Sequence, residues 1–227
     1  MSIQEINNLV DLFFINYKKH NKDNILLSSL KDPNNCFTWE KTFHSIKKLS
    51  SEIKKYINKG DRCLLISENR PEWFITDLSI MLTESITVPA YTTYSEKDYE
   101  YIIDNCNPKL IFVSNQEQFD KIKQLIKKKT FIVKIFSFEE LEADNLDYIN
   151  INKLLSKLDF QNLKIPEFSI KRSDPACIIY TSGTQGNPKG VILSHGGILS
   201  NCEGGYELLK SIISKDMKFL TWLPLSH

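Results

Sequence analysis

With 227 residues, 41% of them hydrophobic and 25% charged, the chain is long enough to bury a large core and too apolar to be disordered. A formal net charge of +1 excludes a field of one sign that would point to DNA, RNA or an acidic surface. Arg62, Arg70 and Arg172 are the only arginines among many lysines, and arginine is the side chain that forks onto guanine and phosphate, so no nucleic-acid partner is expected.

The first residues, MSIQEINNLVDLFF, lack the basic region and small-residue cleavage site of a signal peptide. Ile3, Ile6, Val10, Phe13, Phe14 and Tyr17 recur at helical spacing and predict a first helix. Residues 38–57 repeat likewise through Phe43, Ile46, Leu49, Ile53 and Tyr56, and Lys59-Gly60 should close that helix with a cation and a glycine. The pattern then alternates. Residues 62–67 predict a strand, 71–82 a helix with Pro71 at its first position, and 86–91 a strand. Residues 95–104 predict a helix capped by Ser95 with acidic residues in its first turn. A strand over 110–113, a helix over 117–128 and a strand over 130–136 follow; the run Lys127-Lys128-Lys129 suits the negative end of that helix. Such alternation implies βαβ units, hence an α/β fold with a mostly parallel sheet flanked by helices. Residues 141–172 are polar and aperiodic, apart from a helix near 151–158, and read as a connection between sub-structures 1–140 and 173–227.

The five cysteines, Cys36, Cys63, Cys106, Cys177 and Cys202, are scattered and read as reduced thiols, with Cys63 and Cys177 in apolar runs of the core. No apolar run approaches the ~20 residues that cross a bilayer. A cytoplasmic protein is expected, with peripheral contact to a membrane allowed.

The chemistry concentrates in one loop. An apolar strand, Ala176-Cys-Ile-Ile-Tyr180, runs into Thr181-Ser-Gly-Thr-Gln-Gly-Asn-Pro-Lys-Gly190, and a second apolar strand, Val191-Ile-Leu-Ser-His195, leaves it. Gly183, Gly186 and Gly190 remove side-chain bulk, so backbone amides can approach a polyphosphate. Thr181, Ser182 and Thr184 offer hydroxyls, and Lys189 a point charge. A Walker A loop is excluded, because Pro188 stands where its second glycine belongs and a strand follows instead of a helix. A dinucleotide fingerprint is excluded because the loop holds no Gly-x-Gly. A plain hairpin turn needs as few as two residues and would not call for three hydroxyls and a lysine.

TSGTQGNPKG closely resembles the phosphate-binding signature of the adenylate-forming superfamily, which includes acyl-CoA synthetases, luciferases and peptide-synthetase adenylation domains. The family usually has Thr or Ser where this chain has Gln185; an amide can still donate a hydrogen bond, so tuned binding is expected. Ser67-Glu-Asn-Arg-Pro-Glu-Trp-Phe74, Val88-Pro-Ala-Tyr-Thr-Thr93 and Tyr99-Glu-Tyr-Ile-Ile-Asp104 resemble N-terminal blocks of long-chain and very-long-chain (bubblegum-like) acyl-CoA synthetases. Thr221-Trp-Leu-Pro-Leu-Ser-His227 resembles the family's LPLSH segment, whose histidine lies beside the acyl group and the α-phosphate.

The resemblance covers nearly the whole chain and implies that residues 1–227 are part of an AMP-binding domain. It implies ligation of a fatty acid to coenzyme A with ATP and Mg²⁺, through an acyl-adenylate. Thr181, Ser182, Gly183, Thr184, Gln185, Gly186 and Lys189 are then the nucleotide-binding residues, Thr184 is the candidate to meet the metal, and His227 is the catalytic candidate. Family members are much longer. Their Tyr-Gly-x-Thr-Glu block, acidic ribose-binding residue and lysine-bearing C-terminal domain have no counterpart here, so the expected partner is that missing C-terminal half. The chain is expected to end on an apolar strand over 219–223 and to be inactive alone. The alternative is a non-catalytic remnant or split subunit that binds nucleotide weakly or with a partner; a kinase lacks any supporting signature.

Overall fold

The fold comes from a computed structural model that describes residues 3–143, 145–157, 164–181, 188–214 and 217–226. Helix α1 (Leu9–Lys19) begins where the Asn8 side chain accepts from the Asp11 amide, and it buries Val10 and Phe13. A small antiparallel hairpin, β1 (Ile25–Ser28) and β2 (Cys36–Thr38), was not legible from periodicity. Thr38 caps α2 (Trp39–Ile53) through its hydroxyl. That helix stops at Ile53, earlier than the Lys59-Gly60 pair implied; Gly60 instead takes φ +80° in the turn into the sheet, a conformation that favours glycine.

The expected alternation is present. It runs β3 (Arg62–Ile66), α3 (Pro71–Leu82), β4 (Ile86–Ala90), α4 (Glu96–Cys106), β5 (Leu110–Val113), α5 (Gln116–Ile126) and β6 (Lys134–Ser137). Pro71 opens α3, where its missing N–H costs nothing, and Ser95 and Asp98 form a reciprocal capping box on α4. Then come β7 (Tyr148–Asn150), α6 (Ile151–Ser156), β8 (Pro175–Thr181), β9 (Lys189–Ser194) and α7 (His195–Leu209). Among the described residues these strands form one sheet in the order β7-β6-β5-β3-β4-β8-β9, parallel except for β9.

Both faces of the sheet are covered, which is why its central strands read as unbroken apolar runs. Cys63, Leu65, Leu110 and Phe112 face α1, α2, α3 and α6. Leu64, Ile66, Val88, Ile111 and Val113 face α4 and α5. Cys63 and Cys177 are buried, as expected of core thiols, and burial pushes the Cys177 thiol up to about 12.

Four readings are corrected. The strand expected over 130–136 starts only at Lys134, because the chain turns at Thr130 and Phe131. The stretch 141–172 contains a short strand, β7, that lines up beside β6. His195 is not the end of the exit strand but the first residue of α7, a helix hidden by Gly196, Gly197, Gly204 and Gly205 and signalled only by the Ser194 cap, whose hydroxyl accepts from Gly197. Finally, 219–223 is not a strand. No strand among the described residues pairs with it, and Phe219 and Trp222 face solvent at 72% and 75% exposure.

Candidate functional site

β8 enters the sheet beside β4 and β9 returns antiparallel to it, with Thr181 directly opposite Lys189 and Tyr180 opposite Gly190. Both Thr181 and Lys189 are exposed, so a hydroxyl and a cation stand at the two ends of the expected phosphate loop. Ser182, Gly183, Thr184, Gln185 and Gly186 lie outside the described residues, as does His227. The element that starts at Lys189 is a strand, not a helix, which removes a Walker-type reading.

The loop end of the hairpin is held by α4 and the segment before it. Tyr180 is 4% exposed; its hydroxyl donates to Asn105 Oδ1 at 2.5 Å, and its carbonyl accepts from the Tyr94 hydroxyl at 3.3 Å. Tyr99 donates to the Tyr91 carbonyl at 2.6 Å, and its ring lies 6.0 Å from that of Tyr94. Burial raises the phenols of Tyr180 and Tyr99, so both remain neutral donors across the ordinary pH range. Gly190 has a reason to be glycine that the sequence did not reveal. A Cβ there would meet Ile178 Cγ2 at 2.9 Å and the Tyr180 ring at 3.3 Å, so its open side is filled by β8 side chains.

Thr181 ends a parallel strand, and such carboxyl ends are where open α/β sheets bind ligands. The ends of β3, β4 and β8 are level, since Ile66 pairs with Ala90 and Thr87 with Cys177. At about 4.8 Å between strands, the ends of β3 and β8 are roughly 10 Å apart. The 67–74 block supplies the loop after β3 and the first turn of α3. There Arg70 donates to Glu72 at 3.0 Å, to Glu68 at 3.3 Å and to Glu139 at 2.8 Å, bracing the loop against the end of β6. Burial works against the Arg70 charge, but the hydrogen bond and charge of Glu72, the hydrogen bond of Glu139 and the charge of Glu68 more than reverse this and hold it protonated.

The same loop reaches the 221–226 segment. Asn69 Nδ2 donates to the carbonyls of Thr221 at 3.1 Å and Leu223 at 2.6 Å, and its Oδ1 accepts from the Leu225 amide at 2.9 Å. Leu225 packs on the core and Ser226 is 4% exposed. Two blocks about 150 residues apart are thus joined at the carboxyl edge of the sheet. No periodicity or cap could have announced a contact of that range.

Among the described residues there is no group of three or more His, Cys, Asp or Glu side chains that could hold a metal, and no helix long and apolar enough to cross a membrane. A family model described as AMP-binding enzyme matches residues 14–227. Long chain acyl-CoA synthetase 3 of Arabidopsis thaliana is 31% identical over 203 residues, covering 84% of this chain and 30% of that protein. Fatty acyl-CoA synthetase A of Dictyostelium discoideum is 30% identical over 185 residues, 78% of this chain and 27% of its own length. A long-chain-fatty-acid–CoA ligase of Xenopus laevis is 29% identical over 169 residues, 72% of this chain and 23% of that protein. The chain therefore spans under a third of the length of these relatives. Among solved structures, MbtA of Mycobacterium smegmatis superposes with a TM-score of 0.81 at 16% identity, over 98% of this chain and 40% of that one. The anthranilate CoA ligase AuaEII, in complex with anthranoyl-AMP, does so with a TM-score of 0.74 at 21% identity, over 86% of this chain and 36% of that one. At these identities the two structures show the shared fold.

Proposed function

Because the chain belongs to the family of AMP-binding enzymes, we propose that it carries the phosphate-binding portion of a long-chain fatty acid–CoA ligase. The substrates are a fatty acid, ATP and coenzyme A. A fatty-acid carboxylate attacks the α-phosphate of ATP, giving acyl-adenylate and pyrophosphate; the thiol of coenzyme A then displaces AMP. The observation that carries this reading is the hairpin, in which exposed Thr181 and Lys189 face each other at the carboxyl edge of a parallel sheet. Positioning and charge neutralisation dominate such chemistry, and a loop of amides, hydroxyls and one lysine supplies both.

Thr181, Ser182, Gly183, Thr184, Gln185, Gly186 and Lys189 are assigned to the β- and γ-phosphates, and His227 to the junction between acyl group and adenylate. Mg²⁺ would neutralise phosphate charge; this chain would offer it the Thr184 hydroxyl, the remaining ligands coming from phosphate oxygens and water. The adenine, ribose and thiol sites are assigned to the part of the relatives that this chain does not cover. A cytoplasmic location with peripheral membrane contact suits a ligase whose acid substrate partitions into bilayers.

The test is a chimera in which this chain replaces the matching part of the Arabidopsis synthetase. Lys189→Ala removes a charge-assisted hydrogen bond and should slow fatty-acid-dependent ATP–pyrophosphate exchange roughly ten- to a hundredfold. Thioester formation from supplied acyl-AMP contains no β- or γ-phosphate and should change little. Thr184→Ala should act in the same half-reaction and recover partly at higher Mg²⁺. Equal damage to both half-reactions in a folded variant refutes the phosphate role.

A further inference from the structure

The 221–226 segment has no regular structure, yet Asn69 binds it at alternate residues: the carbonyls of Thr221 and Leu223 and the amide of Leu225. The chain bends at Leu223 and turns at Leu225 and Ser226, which wraps these three backbone groups around one side chain. A carboxamide has two N–H donors on one nitrogen and an acceptor oxygen in the same plane, and all three functions are engaged here. Around this anchor Trp222 and Leu223 are exposed, and only Leu225 and Ser226 turn inward. The loop that carries Asn69 is itself fixed: Ser67 is buried, and Arg70 is locked by Glu68, Glu72 and Glu139.

We infer that Asn69 is a positioning residue: its side chain clamps the turn of the 221–226 segment and fixes that segment at the carboxyl edge of the sheet. The residue that follows Ser226 in the sequence is His227, assigned above to the junction of acyl group and adenylate, so loosening the 221–226 segment should lower adenylation. This catalytic consequence rests on the proposed ligase function; the docking itself does not. Nothing about Asn69 needs to touch substrate.

Amide hydrogen exchange of the 227-residue chain tests the docking without nucleotide. Asn69→Ala should raise exchange of peptides spanning 221–226 roughly tenfold or more, leaving β3 and β5 unchanged. Asn69→Gln carries the same amide one methylene further out and should restore part of the protection; it also decides the matter if the alanine variant does not fold. Unchanged exchange at 221–226 overturns the inference. So does equal acceleration in β3 and β5, which would make Asn69 a contributor to global stability. In the Arabidopsis chimera, Asn69→Ala should lower kcat for adenylation with little change in the KM for ATP, and Asn69→Gln should recover part of it. Loosened exchange with intact adenylation would leave the docking standing and remove its catalytic meaning. A chimera whose unsubstituted form makes no acyl-adenylate would instead count against the ligase reading.

Discussion

Tyr180 and Asn105 meet at 2.5 Å between phenol oxygen and amide oxygen, tying the last-but-one residue of β8 to α4. The bond sits one residue before Thr181, so it sets the take-off of the loop that follows. Tyr180→Phe keeps the ring and removes the donor, and should cost about 1 kcal/mol in chemical denaturation. Asn105→Ala should cost at least as much, since it leaves a buried hydroxyl without its partner while exposed Asn105 can rehydrate in the converse case. A double-mutant cycle with no coupling between the two would show that the short contact contributes nothing.

Gly190→Val should be worse than either. Its Cβ alone would lie 2.9 Å from Ile178 Cγ2, a methyl on a branched carbon with little freedom to move aside. The two strands would have to part at the point where Tyr180 pairs with Gly190. Overpacking of this kind costs roughly 1–3 kcal/mol. The sign is clear from a second substitution: Gly190→Val combined with Ile178→Ala should recover part of the loss, and an additive pair would contradict the clash.

The sheet was legible because its strands are buried on both sides and its helices carry ordinary signals. Pro71, Ser95 and the apolar run 110–113 each say what they do within their own neighbourhood. The hairpin was legible too, because glycine, hydroxyl and lysine residues interrupt two apolar runs. Asn69 was not legible as a clamp, nor Gly190 as room for Tyr180, because both depend on partners brought in by topology. The 219–223 run misled for the opposite reason: apolar residues suggest a strand, but a strand needs a neighbour to exchange hydrogen bonds with. The α7 helix was missed because its four glycines lower helix propensity, while buried His195 and Leu199 anchor it from the other side.

His195 should make stability depend on pH. The side chain is 2% exposed, and its Nδ1 accepts from the Leu9 amide at 3.4 Å. Burial lowers its pKa from 6.5 to about 4, against a weaker upward pull from Asp174. The unfolded chain therefore binds a proton between pH 6.5 and 4 that the folded chain does not, so stability is full above 6.5 and falls as the pH drops toward 4. The loss from this group is at most about 3 kcal/mol and levels off below pH 4. His195→Gln keeps an acceptor for Leu9 and cannot titrate; its urea midpoint should change less than the parent's between pH 7 and pH 4.5. Parallel midpoints for the two proteins would mean that His195 is not the titrating group.

Exposed apolar side chains recur between Tyr206 and Leu223. Leu208 is 82% exposed and Ile212 65%, and Phe219, Leu220 and Trp222 continue the apolar series past the end of α7. On the neighbouring edge, β9 leaves Val191 and Ile192 exposed and has no further strand beside it among the described residues. Exposed apolar side chains beside an unpaired strand edge favour association of the chain with itself. The 227-residue chain should therefore bind a hydrophobic dye and show a mass in light scattering that rises with concentration. Leu208→Lys with Ile212→Lys removes two large side chains, each worth up to ~3 kcal/mol when buried, and should weaken that association at least tenfold. The same double substitution should leave the denaturation midpoint nearly unchanged, because neither side chain contributes to the buried core. A parent chain that stays monomeric and cooperative at high concentration would show that these residues are tolerated as ordinary surface.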